Sequence, residues 1–345
     1  MTEETRVSVE FTSTSSSAPA LPSSHDPRNP WSTSCYTPAL STGGPTTTRR
    51  VLIEWYTYPP GSDLTAKERL ARLSHLLKGC HKPATLSTLD SVGIVSNFNI
   101  DTIGLIFSVP ATANPTKPPV SLYQLLSHRS PRPMPTLEQR IYLASVLSSS
   151  LYTFLLARWH HKRFISDSIV FLHDLSPAAP TPTPLPNLAR LYIAGFGLSR
   201  PEDPAATSFP LFRADEFELY LHPDLDQAGP GQPTPKARAA FDIYSFGLVL
   251  AEIGFWGTLR NIVGAKRGPS AAGGGQPLTA QSMRTKVIEK CETDLACWAG
   301  KRYRDVTLRC LRAEDVDAGG VGEELSDFFD VVVAELARCC EDWKV

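Results

Sequence analysis

The sequence predicts an α+β protein, with a small strand-rich region over about residues 50–110 and a larger, mainly helical region over about residues 118–345. Three observations predict it. Runs of β-branched and aromatic residues cluster early, at Val51–Tyr56, Ser91–Phe98 and Thr102–Val109. Long stretches with apolar residues at helical spacing dominate the rest of the chain. Hydrophobic residues make up 42 % of the 345 and charged residues 20 %, the composition of a chain that buries a core.

Residues 1–48 are rich in Ser, Thr and Pro, and only Val7–Phe11 is strand-like. Such a segment buries too little apolar surface to offset its ordering entropy, so a disordered tail is expected. Val51–Tyr56 is the first strand. Leu70, Leu73, Leu76 and Leu77 line one face of a helix over Leu64–Lys78. The next two strands are joined at Asn99-Ile-Asp101, a candidate hairpin turn. Ala111–Pro119 is a Pro-rich connector, and Val120–Ser127 is a short helix.

Thr136 can cap a long helix through Ile141, Leu143, Leu147, Leu151 and Leu155. Ile169–Leu172 and Arg190–Ile193 are short strands, separated by a loop with five prolines between Pro177 and Pro186. Phe241–Phe255 is apolar nearly all round and is expected to be a buried helix. After a Gly-rich loop at Gly268–Gly275, helices are expected over Gln281–Trp298, Tyr303–Arg312 and Glu323–Trp343.

The net charge is −1, which gives no electrostatic footprint for nucleic acid. No run approaches the roughly 20 apolar residues that span a bilayer. Met1-Thr-Glu-Glu4 does not begin a secretory signal, and the seven cysteines are odd in number and scattered. A reduced, cytoplasmic protein is the expectation. No Cys-x-x-Cys, Gly-x-Ser-x-Gly or His-Glu-x-x-His occurs, so common zinc and hydrolase signatures are missing.

Six segments, taken in order, resemble the protein kinase fold. They are Val51-Leu-Ile-Glu-Trp55, Pro119–Leu126, Trp159–Phe171, Gly195-Phe-Gly197, Tyr220-Leu-His-Pro-Asp224 and Asp242–Ile253. The resemblance is closest to fungal kinase-like domains of unknown function, found behind a helical HeLo-type domain in incompatibility-type proteins. It implies a two-lobed fold and, by association, a role in fungal non-self recognition. The HeLo-type domain is not visible in this chain.

The resemblance also implies where catalytic groups should stand, and other residues stand there. His161–Ser168 matches the catalytic loop, with Arg163 at the aspartate that accepts the substrate proton and Ser168 at the metal-binding asparagine. A guanidinium has no acceptor, and general-base catalysis supplies on the order of 10²–10⁴ in rate. Gly195 stands at the metal-binding aspartate of Asp-Phe-Gly. Where the phosphate-pairing lysine should end the first strand, the candidates are Glu54 and Tyr56, and its helix partner would be Glu68. No Gly-x-Gly-x-x-Gly precedes that strand, and Gly43-Gly44-Pro45 lacks the donor-rich loop that cradles phosphates.

The remaining kinase-like positions are architectural. Asp242 stands where kinases tie down the backbone of the catalytic loop; otherwise it is a plain carboxylate at a helix N-terminus. His161 is expected to pack and hydrogen-bond locally, Phe196 to join Trp159 and Phe164 in the core, and Gly197 to complete the turn.

The expected function is a catalytically inactive module with a protein partner and no cofactor. The alternative is an atypical nucleotide-dependent transferase using Asp167, Glu68 or the Ser199–Tyr220 segment. Asp167 otherwise reads as a solvated or helix-capping carboxylate. Thr207, Ser208 and Tyr220 in that segment are candidate phosphorylation sites.

Overall fold

The computed structural model describes residues 31–36, 49–58, 63–97, 102–114, 117–127, 134–175, 186–202, 218–226, 238–265, 278–313 and 323–341. Val7–Phe11, Gly43–Pro45, the turn at 99–101, residues 177–185 of the Pro-rich loop, Thr207, Ser208 and the Gly-rich loop at 268–275 lie outside them. The protein is α+β. Its chain divides into two compact units: Met1–Lys82, Thr88–Pro119 and Leu172–Pro186 form the first, and Pro83–Ser87, Val120–Phe171 and Asn187–Val345 the second.

The first unit is built on one antiparallel sheet. Its strands are β1 (Trp31–Tyr36), β2 (Arg49–Thr57), β3 (Ser91–Asn97) and β4 (Thr102–Ser108), in the order β1-β2-β4-β3. Helix α1 (Asp63–Leu76) lies between β2 and β3 in sequence and packs on β3 and β4. β1 falls inside the segment expected to be a tail. Its register, Trp31 opposite Glu54 through Tyr36 opposite Arg49, extends the sheet from the β2 edge.

Side chains alternate across β2 because the strand period is two. Val51 and Ile53 pack with Ile106, Trp55, Val92 and Val95 on one face. Leu52, Glu54, Tyr56 and Tyr58 share the other parity, and Tyr58 hydrogen-bonds Arg69 of α1. Residues 102–107 of β4 are all buried, as an apolar strand with a neighbour on either side should be.

The second unit is mainly helical. β5 (Val120–Ser121) leads directly into α2 (Leu122–Ser127), so the helix expected over the whole stretch starts two residues later. Thr136 caps α3 (Leu137–Leu156). Its hydroxyl accepts from the Gln139 N–H while the Gln139 side chain accepts from the Thr136 N–H, a capping box that satisfies two otherwise orphaned donors. Short strands β6 (Trp159–His160), β7 (Ile169–Phe171), β8 (Leu191–Ile193) and β9 (Arg200–Pro201) come next. They form the sheet β5-β7-β8 and the separate antiparallel pair β6-β9.

After α4 (Pro223–Asp226) comes α5 (Ala239–Phe255), buried along nearly its whole length. Next come α6 (Leu259–Ile262), α7 (Ala280–Lys290), α8 (Ala296–Ala299), α9 (Lys301–Leu311) and α10 (Glu323–Glu341). The helix expected over Gln281–Trp298 is interrupted by a π segment, Cys291–Leu295, between α7 and α8.

α5 is the hub of this unit, with α3 and α9 against it. Gly247 lets α9 approach: a Cβ there would lie 2.9 Å from the Leu311 backbone nitrogen. Tyr303 donates its hydroxyl to the Leu250 carbonyl at 2.9 Å, and Arg140 reaches the Gly254 carbonyl at 2.6 Å. These two long-range bonds give buried polar atoms the partners that burial demands. α10 joins through Tyr152 of α3, whose ring stacks on Phe329 at 4.9 Å. Among the described residues, no helix is long and apolar enough to cross a membrane.

Candidate functional site

The loop between β6 and β7 lies wholly in the second unit, and α5 positions it. Asp242, in the first turn of α5, is 2 % exposed. Its Oδ2 accepts from the His161 N–H at 2.7 Å and its Oδ1 from the Lys162 N–H at 2.7 Å. Both bonds are charge-assisted and of the short kind such bonds adopt. They hold Lys162 at φ +62°, a left-handed conformation that costs a non-glycine residue on the order of 1–2 kcal/mol. Asp242 is thus more than a carboxylate near a helix dipole: both its oxygens fasten backbone.

His161 is 1 % exposed and is a second anchor. Its Nδ1 accepts from the Arg163 N–H at 3.3 Å, which leaves Nε2 to donate to the Ala194 carbonyl at 2.8 Å. The neutral ring therefore has both nitrogens used. Burial pushes the imidazole down to about 4, and the nearby Arg163 charge acts in the same direction. Around it pack Phe154, Phe164 and Phe196, with ring centroids 5.1–6.0 Å from the imidazole. Phe164 and Phe196 are core, and Trp159 is also buried. Ser199 donates its hydroxyl to the His161 carbonyl at 3.1 Å.

The opposite side of the loop carries Arg163, Ser168 and Gly195, the positions singled out in the sequence. Gly195 has φ +81°, and the 3-10 turn Phe196–Leu198, which contains Gly197, comes directly after it. Ser168 ends the 3-10 turn Ser166–Ser168, and its hydroxyl donates to the Arg163 carbonyl at 2.8 Å. A Cβ at Gly195 would lie only 2.5 Å from Ser168 Oγ and 3.0 Å from Ser168 Cβ. The serine occupies the room that a side chain at 195 would need. Arg163 pairs with Asp167 across one turn, Nη2 to Oδ2 at 3.9 Å. Asp167, partly exposed, thus has the Arg163 guanidinium as a neighbouring opposite charge.

The first unit holds the remaining sequence candidates. Glu54 is 1 % exposed on β2, and Tyr56 is half-buried with its ring 6.5 Å from that of Tyr58. Glu68 is exposed, whereas its neighbour Arg69 on α1 is a buried charged residue. The Tyr58 phenol is pushed up to about 12 by burial; the charge and hydrogen bond of Arg69 pull it back and Glu54 raises it further. The strand thus carries a buried acid and the helix a buried base, the reverse of a strand lysine with a helix glutamate. Arg69 and Tyr58 were missed in the sequence. Tyr58 has the parity of Glu54, and Arg69 sits one position before Leu70 on the apolar stripe, which were the available signals.

Tyr220 is buried, and its hydroxyl lies 2.8 Å from that of Ser166. Among the described residues, no group of three or more His, Cys, Asp or Glu side chains is placed to hold a metal ion. A scan against protein-family models finds no match for this sequence, and a search of curated proteins finds none either.

Proposed function

We propose that this chain is a kinase-like domain without phosphoryl-transfer activity, acting as a protein-binding or signalling module. The first unit takes the part of the small lobe and the second that of the large one. Asp242 fastening the backbone of His161 and Lys162, and His161 fastened to Ala194, support the match of this loop to the kinase catalytic loop.

The observation that carries the loss of activity is the contact between the two metal-ligand positions. Ser168 fills the space beside Gly195, so no carboxylate projects there, and the Arg163 guanidinium at the base position is turned to Asp167. Phosphoryl transfer depends almost entirely on positioned charge, and here the charges neutralise each other. In the first unit the buried acid Glu54 stands on the strand where a cation would meet phosphate. A partner in fungal non-self recognition is the sequence resemblance's addition to this reading.

The test is nucleotide binding. A ligand at one hundred times its Kd adds about 2.7 kcal/mol of stability, which a thermal melt resolves. We expect no shift with Mg-ATP and no labelled phosphate on any acceptor. A rise of several degrees with Mg-ATP, or metal-dependent transfer lost on Asp167→Ala, overturns the proposal.

A further inference from the structure

Helix α1 runs into a tight turn, and two histidines meet there that the proposed function does not use. His75 stands in the last turn of α1 and His81 in the chain just beyond it. The His75 carbonyl accepts from the Lys78 N–H at 3.3 Å. The Lys78 carbonyl accepts in turn from the N–H groups of His81 at 2.9 Å and Lys82 at 3.0 Å. The chain is thereby folded back, and the His81 ring returns to the end of the helix. Its centroid lies 4.8 Å from that of His75, with the two rings tilted by 35°. Both residues are exposed, and among the described residues neither ring has a hydrogen bond or an ion pair.

The foot of this turn is fixed. Leu73 and Leu77 are 0 % exposed, and the Leu77 carbonyl accepts from the Ser91 N–H at 3.0 Å. Lys82 Nζ pairs with Asp90 Oδ1 at 2.7 Å and also donates to the Thr88 carbonyl. Gly79 leaves room for that carboxylate: a Cβ there would lie 2.8 Å from Asp90 Oδ2. The backbone under the two rings is held from within the first unit, while the rings face water.

We propose that His75 and His81 form a two-imidazole site for a late first-row divalent metal ion, zinc or copper, with water completing the coordination. The spacing of the rings fits one shared ion. An imidazole nitrogen binds zinc at about 2.0–2.1 Å, which sets the ring centre about 3.2 Å from the ion, so two rings at right-angled to tetrahedral geometry have centres about 4.5–5.2 Å apart. The observed spacing lies inside that range. Exposed rings turn about their side-chain torsions, so one nitrogen of each can face the ion without any movement of the backbone.

The donors select the metal. Imidazole suits zinc and copper, whereas magnesium and calcium take oxygen ligands. Asp90, the carboxylate packed against the turn, is engaged by Lys82. The neighbouring Cys80 is exposed, but it makes no three-ligand group with the two rings. The site uses the first unit alone and holds whether or not the chain transfers phosphate.

The experiment is calorimetric titration of the full chain with zinc, after removal of metal by a chelator and with the thiols kept reduced. The same samples, labelled with nitrogen-15, report the histidine rings by NMR. We expect one zinc ion per chain to shift two sets of ring signals, and magnesium at the same concentration to shift none. His75→Ala and His81→Ala should each weaken this binding at least about tenfold, since even a residue that only supports a metal ligand is worth about 10–100-fold. Both rings are exposed, so neither change should lower the melting temperature of the metal-free chain. Cys80→Ser should leave the affinity within about threefold of the wild type. Zinc binding that is absent, or unchanged in both histidine variants, overturns the proposal. So does a loss in Cys80→Ser as large as theirs, which would make the site a thiolate one.

Discussion

The loop after β6 has two sides. Towards α5, the groups being held are backbone N–H donors and one carbonyl, and the holders are Asp242 and His161. Towards the Gly195 turn, the groups that matter are side chains, and these are an arginine, a serine and a glycine. The first side has its backbone donors matched in buried surroundings. The second has closed upon itself, with Ser168 beside Gly195 and Asp167 beside Arg163. Backbone groups are present whatever the sequence, so an acceptor for them keeps its value when chemistry is absent. Side-chain chemistry has no such support, and small residues at those places cost the fold nothing. A loop held through its backbone can thus keep its path whatever side chains stand on its other side.

The comparison breaks most severely at Asp242. Asp242→Ala removes the acceptor of two charge-assisted bonds and leaves the His161 and Lys162 N–H groups buried or strained. We expect a loss on the order of 3–5 kcal/mol in urea denaturation. Asp242→Asn, which keeps one acceptor, should lose less. If Asp242→Ala costs under about 1 kcal/mol, the backbone side is not what maintains the loop.

The His161 anchor gives a pH signature. Its folded value is about 4 against an ordinary 6.5. Between these, the unfolded chain binds a proton that the native chain does not. This stability is therefore fully present above pH 6.5 and drains away as pH falls through 4, by about 3 kcal/mol in all. Glu252 acts with the opposite sense. Its folded value of about 8 lies above the ordinary 4.5, so the native chain holds the extra proton and stability falls as pH rises from 4.5 to 8. From 4.5 to 6.5 the two slopes offset one another. Urea midpoints of His161→Gln against wild type should converge as pH drops from 7 to 4. Parallel profiles would mean that the ring titrates normally.

Much of this was legible in the sequence and some was not, for a common reason. The order of strands and helices came from periodicity, and Thr136 announced its helix by residue type. Asp242 and His161 were legible through the resemblance of their segments to the kinase fold, which implied an architectural role for each. Arg69 was not, because a charged residue is buried only when partners distant in sequence receive it. Tyr58, just past the end of β2, is such a partner. The same holds for Tyr220, whose place depends on Ser166, 54 residues earlier. β1 was hidden by its Ser-Thr-rich surroundings, and its pairing with β2 is again non-local.

Arg69 sharpens the contrast in the first unit. Arg69→Met keeps the length of the side chain and removes the cation that hydrogen-bonds the buried Tyr58, near which Glu54 also acts. We expect a loss on the order of 2–3 kcal/mol. Arg69→Met combined with Glu54→Gln should be milder than the sum of the two changes, because the second removes the charge the first leaves exposed to apolar surroundings. Strictly additive losses would show that the two residues do not act on each other.

The smallest effect is expected on the reacting side itself. Gly195→Ala asks a residue with a Cβ to adopt φ +81° and to displace the Ser168 hydroxyl from its bond to the Arg163 carbonyl. The backbone part costs about 1 kcal/mol and the contact adds a similar amount, so a loss of about 1–2 kcal/mol is expected. Ser168 is a small side chain with a rotatable hydroxyl, which is why the contact is not worse. Removing that hydroxyl separates the two parts. In a Ser168→Ala background, Gly195→Ala should cost only the backbone share, since the nearest atom is then the 3.0 Å Cβ and not the 2.5 Å oxygen. A cost that is the same in both backgrounds would mean that the serine does not fill the space beside Gly195. The proposed absence of phosphoryl transfer would then have no support in this turn.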